Sequence, residues 1–159
     1  MILQFDDWKF RIFEVATRKY YAREVSEHCE CAYCRNFYAS VDLKYPEMRP
    51  FLKEFGVHIE APDETISFGP TMCANYYAVS GSILERGTGP IYVSGVPIDP
   101  ETCTEAMVNT ECPDPCFFLN VGCMTLPWVL DEPMEQAQSP ASERNPVQRL
   151  LRRWITEDD

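Results

Sequence analysis

Three thiols gather early in the chain as Cys29-x-Cys31-x-x-Cys34, directly after His28. Thiolates and imidazoles are the preferred donors of a tetrahedral zinc site. Cys29, Cys31 and Cys34 could therefore give zinc three ligands, with His28, Cys112 or Cys116 as the fourth. The competing reading is structural, with Cys34 a small buried apolar residue and Cys29 and Cys31 flanking a tight turn. No second pair at regular spacing completes a two-knuckle pattern. A thioredoxin-like role for Cys31 and Cys34 requires a strand before the motif, and the preceding segment reads as helix.

Other chemistry is thin. The chain has two histidines, at 28 and 58, and neither a Gly-rich phosphate loop nor an HExxH or GxSxG motif. With no catalytic constellation assembled, the expected function is non-enzymatic, although a Cys–His pair needs only to meet in space. Zinc is the one cofactor the residues suggest. Eight cysteines in 159 residues are too few for a disulfide scaffold. The start of the sequence turns acidic at once, without the pattern of a secretory leader, so a cytoplasmic setting with reduced thiols is expected.

Charge narrows the partner. The net charge is −11, which argues against gripping nucleic acid directly, because phosphate binding rests on a basic surface. Residues 1–56 hold nine acidic and nine basic side chains, whereas residues 57–132 hold eleven acidic ones and a single Arg86. No lysine follows Lys53. Solubility alone accounts for such a balance. The sharper expectation is a surface that meets a basic protein, with Glu101, Glu105, Glu111 and Asp114 in the partner-binding set.

These residues need elements to carry them. Residues 8–13 alternate apolar and basic as a short strand, and residues 14–26 read as a helix with Tyr20 and Tyr21 toward the core. Cys34, Phe37 and Val41 fall at helical spacing, as do Met48, Phe51, Leu52 and Phe55, with Pro50 expected at the start of the second set and Gly56 at its end. Beyond Gly56 the helical period vanishes. Residues 65–68, 76–84 and 91–98 read as strands, the last two joined by a hairpin loop at 85–89. Residues 102–109 and 117–124 read as a second hairpin. The expected fold is α+β: N-terminal helices packed on a five- to six-stranded, mostly antiparallel sheet, as one domain over 1–130. The aromatics Tyr76, Tyr77, Tyr92, Phe117 and Phe118 are expected in the core more readily than around a ligand pocket.

The tail differs. Residues 131–146 have a Pro-rich linker composition, and residues 147–156 read as an amphipathic helix with Val147, Leu150, Leu151, Trp154 and Ile155 on one face. Trp154 joins the partner-binding set, and the helix is expected to dock on its own body or pair two chains as a homodimer. No stretch reads as a membrane span; the longest uncharged one, 65–84, is broken by Gly69, Pro70 and Gly81.

The segment from Trp8-Lys9-Phe10 through Tyr20-Tyr21 to His28-Cys29-Glu30-Cys31-Ala32-Tyr33-Cys34-Arg35-Asn36-Phe37 resembles a family of small proteins without an assigned activity, found in Gram-positive bacteria and their mobile elements. These share a Cys-x-Cys-x-x-Cys-Arg-Asn-Phe signature before a strand-rich half. The resemblance covers about a third of the chain and implies a bacterial or phage origin, with no functional residues to carry over. The resulting expectation is an acidic binding protein that blocks or regulates a basic, nucleic-acid-binding host protein. The alternatives are a zinc-stabilised interaction module and a small-ligand-binding protein.

Overall fold

The computed structural model describes residues 1–25, 28–134 and 137. The linker and helix expected over 131–156, Trp154 included, fall largely outside them. The elements run β1 (Ile2–Phe5), β2 (Trp8–Ile12), α1 (Glu14–Glu24), α2 (Ala32–Lys44), α3 (Met48–Glu54), β3 (Glu64–Ser67), β4 (Met72–Glu85), β5 (Ile91–Val93), β6 (Val96–Thr102), α4 (Cys103–Ala106) and β7 (Cys116–Thr125). The fold is α+β, as the ordering of periods suggests. Among the described residues seven strands form an antiparallel sheet in the order β1-β2-β4-β7-β6-β5, with β3 pairing on the first part of β4.

Strand alternation gives the sheet two unlike faces. Tyr77 and Val79 of β4 and Phe117, Leu119 and Val121 of β7 point to one face and are buried. There Phe10 of β2 stacks on Phe117 at 5.3 Å and meets Phe55, just past α3, edge-on at 5.4 Å. Such aromatic contacts contribute about 1 kcal/mol each beyond the area they bury. The α2 residues Cys34, Phe37 and Val41 repeat at helical spacing and are buried. In α3, Met48, Phe51 and Leu52 are buried, and Gly56 follows with φ +81°, the left-handed position that ends a helix. Pro50 is the third residue of α3 rather than its first.

Four expectations are corrected. The sheet has seven strands, and two of them precede the first helix: β1 folds back on β2 through Asp6, at φ +52°. The segment 91–98 is two strands, because Ser94 and Gly95 take φ +51° and +79° and turn the chain in a two-residue hairpin. The loop 85–89 closes no hairpin. β4 pairs with β2, β3 and β7, while β5 pairs with β6, so this loop crosses over, tied down where the Trp8 indole N–H donates to Gly89 O at 2.7 Å. Finally, the strand expected over 102–109 ends at Thr102. Thr102 accepts from the Glu105 N–H and Glu105 reaches back to the Thr102 N–H, a capping box that starts α4 instead. No helix among the described residues is long and apolar enough to cross a membrane.

Candidate metal centre

α2 begins inside the cysteine motif. Cys31 is extended (φ −64°, ψ 162°) just before the first helical turn, and its sulfur accepts from the Cys34 N–H at 3.5 Å. A sulfur at a helix start meets unpaired N–H groups and the positive end of the helix dipole, both of which favour thiolate. The Cys31 thiol is accordingly pulled down to about 6, chiefly by its hydrogen bond with the Cys34 thiol, against the opposing effect of burial. Cys34 moves the other way. Its bond to Cys31 and then its burial push it far above the ordinary thiol value.

The sulfurs of Cys29, Cys31 and Cys34 all lie within 4.8 Å of one another. Zinc–sulfur bonds of about 2.3 Å place tetrahedral sulfurs about 3.8 Å apart, so closing by at most about 1 Å would seat an ion. The residues around them hold the loop in this shape. Tyr38 OH donates to Cys29 O at 2.8 Å, and Arg35 Nε donates to Glu30 O at 2.8 Å while its guanidinium bonds the Glu132 carboxylate. Asn36, fully buried, clamps the segment after β7: its Nδ2 donates to Pro127 O at 3.1 Å and its Oδ1 accepts from Val129 N–H at 2.8 Å. Phe37 anchors the same turn in the core. Arg35 thus holds the cysteine loop directly, while Asn36 and Phe37 anchor the start of α2, which follows it.

Of the three fourth ligands considered, two are placed elsewhere. Cys116 lies against Cys103 and Cys112 is buried near Asp63, outside the sulfur cluster. His28 is adjacent. It shares with Cys29, Cys34, Tyr38, Glu60 and Asp63 a cavity of about 110 Å³, and its ring meets Tyr38 edge-on at 4.9 Å. Its Nδ1 sits 2.6 Å from Val25 O. A carbonyl only accepts, so Nδ1 is the donor, and a metal would have to meet the ring at Nε2.

The acidic residues separate into two kinds. Glu105 is bonded to Arg86 at 2.6 Å, which with the Thr102 N–H lowers its pKa. Glu111 accepts from Arg23 at 2.6 Å, and Asp114 is exposed before β7. Glu101 is different. It belongs to the sheet face opposite the helices, beside a row that crosses four strands in register: Glu64, Tyr76, Asn120 and Asp99. Asn120 Nδ2 bridges Tyr76 OH at 3.2 Å and Glu101 Oε1 at 3.1 Å. Burial and then the charges of Asp99 and Glu105 raise the Glu101 pKa; burial and then Asp63 raise that of Glu64. Tyr76 is pushed up to about 12, first by burial and then by Glu101, Glu64 and Asp99. The grouping of Glu64, Tyr76, Asp99 and Asn120 was not legible in the sequence, where Tyr76 was expected in the core, since only strand register brings them together. Tyr77, Phe117 and Phe118 are buried in the core, whereas Tyr92 is exposed.

Comparison of the chain with protein-family models, with curated proteins and with solved structures finds no match.

Proposed function

We propose that the chain is a non-enzymatic interaction domain stapled by zinc, which presents an acidic sheet face to a basic protein surface. The observation that carries this reading is the convergence of three sulfurs at the start of α2, one of them with a depressed pKa. Zinc held there by Cys29, Cys31 and Cys34, with His28 completing the set, ties the 28–31 loop to α2 and, through Asn36, to the strand end beyond β7. The metal's contribution is to folding rather than to turnover. Protein purified without chelators should carry about one zinc per chain, and Cys31→Ser should lose both the metal and a substantial part of the stability. Metal-free protein whose melting temperature is unmoved by Cys31→Ser would end this reading.

The Glu64–Tyr76–Asn120–Asp99 row favours a more specific version, in which the domain occupies the cationic groove of a nucleic-acid-binding protein. Carboxylates in a row then stand where phosphates would bind. That version agrees with the mobile-element setting implied by the Cys-x-Cys-x-x-Cys-Arg-Asn-Phe resemblance.

A further inference from the structure

Away from the metal centre the fold brings a second pair of thiols together. Thr102 stands opposite Phe117 at the end of the β6–β7 ladder. The next step along each strand therefore faces Cys103, the first residue of α4, with Cys116, the first residue of β7. Their sulfurs are 3.0 Å apart, inside the ordinary contact distance of two sulfur atoms and about 1 Å beyond a disulfide bond. Both side chains are half-buried, so a small reagent reaches them, and neither belongs to the Cys29–Cys31–Cys34 cluster. Two backbones already held in register meet the chief geometric demand of a disulfide, the approach of the two Cβ atoms.

We propose that Cys103 and Cys116 form a thiol–disulfide site that is oxidised by small-molecule disulfides and reduced by the corresponding thiols. The Cys103 thiolate attacks one sulfur of the reagent, whose S–S bond breaks and releases one small thiolate. The Cys116 sulfur then attacks the Cys103 sulfur of the mixed disulfide and expels the second. The two cysteine protons end on the two small thiols, so the protein loses two electrons and the reagent gains them. Attack starts from Cys103 because burial, then Cys103 itself and Asp114, push the Cys116 thiol up.

The bond would close the loop 103–116, which holds Glu105, Glu111 and Asp114. In that loop Thr110 donates to Asp63 at 2.6 Å. Oxidation thus fixes an acidic loop onto β7, and in a reducing compartment the bond would be transient.

The test exposes the full chain to buffers of graded oxidised and reduced glutathione, blocks remaining thiols by alkylation, and digests after glutamate and after phenylalanine. The expected product joins peptide 102–105 to peptide 112–117 with the loss of two hydrogens. The link should persist in Cys112→Ser and vanish in Cys116→Ser. Alkylation of both Cys103 and Cys116 at every ratio would overturn the proposal. So would a link that survives Cys116→Ser, which would assign the bond to Cys112.

Discussion

Asp63 shows how one residue couples distant parts of the chain. Its Oδ1 accepts from Tyr20 OH and from Thr110 Oγ1, and its Oδ2 accepts from Ala78 N–H at 2.8 Å and Tyr21 OH at 3.5 Å. α1, β4 and the loop before β7 therefore meet on one carboxyl. Burial raises its pKa, and the bonds from Thr110, Tyr20 and the Ala78 N–H offset only part of that rise. A raised folded value means the neutral form is favoured by the fold. The stability this gives is complete below the ordinary carboxylate pKa of about 3.9 and is lost as pH rises through the raised value. Glu64 and Glu101 shift in the same direction. Urea melts from pH 4 to pH 7 should thus show falling stability, with a flatter slope in Asp63→Asn, whose Oδ1 can keep the Ala78 bond while its amide donates to the hydroxyls. An unchanged slope in that variant would remove Asp63 as the cause. Asp63→Ala should cost about 2 kcal/mol, since it strands a buried N–H. At this scale the sequence announced the cysteines, because thiol spacing is local. It was silent on Asp63 and Asn36, whose partners lie 15 to 93 positions away.

Among the elements, β2 and β4 meet closely at Gly81. Gly81 takes φ +146°, and a Cβ built there would stand 2.1 Å from Arg11 O. Gly81→Ala should therefore cost roughly 3 kcal/mol or more, because both the backbone angle and the neighbouring strand resist it. Gly89→Ala is the matched control: nothing lies within 4 Å of its Cβ position, so the cost should stay within about 0.5 kcal/mol. Denaturant midpoints of the two variants check this, and equal shifts would refute it. Helices α2 and α3 were legible because apolar residues recur with the helical period, and α1 because its segment is rich in Arg, Lys, Ala and Glu. The strands were legible as strands but not in their pairing. Tyr92-Val93-Ser94-Gly95-Val96 reads as continuous β residues until Ser94 accepts a left-handed angle, and Thr102-x-x-Glu105 was overlooked as a helix start inside a strand-like run. The Asp6 turn hid β1 in the same way, by a conformation the side chain permits but does not announce.

Across the whole molecule the charge asymmetry was plain in composition, but its division into paired and unpaired carboxylates was not. Glu105 and Glu111 have arginine partners, so their charge is partly spent within the chain. Asp99 instead repels Glu101, and both act with Glu64 on Tyr76, so a cationic partner would relieve that concentration of negative charge. A lysine-rich polypeptide used as probe should therefore bind less well to the variant Glu64→Gln, Asp99→Asn, Glu101→Gln than to one carrying Glu105→Gln and Glu111→Gln. Its association with the unaltered chain should slow as salt rises past about 0.15 M, where the Debye length is about 8 Å. Equal losses in the two variants, or indifference to salt, would contradict the assignment of the row as the docking face.

The distribution of lysines gives that row a practical orientation. The chain's lysines are Lys9, Lys19, Lys44 and Lys53, and the exposed ones sit on α1, α2 and α3. Strands β3, β4, β6 and β7, which carry the carboxylate row and its neighbour Glu101, contain no lysine. Any reagent that couples to lysine amines, from a fluorophore to the matrix of a sensor chip, will attach chiefly through the helical layer. The immobilised protein then offers its acidic strands to the solution, and β3, β4, β6 and β7 themselves present no lysine to enzymes that acylate amines.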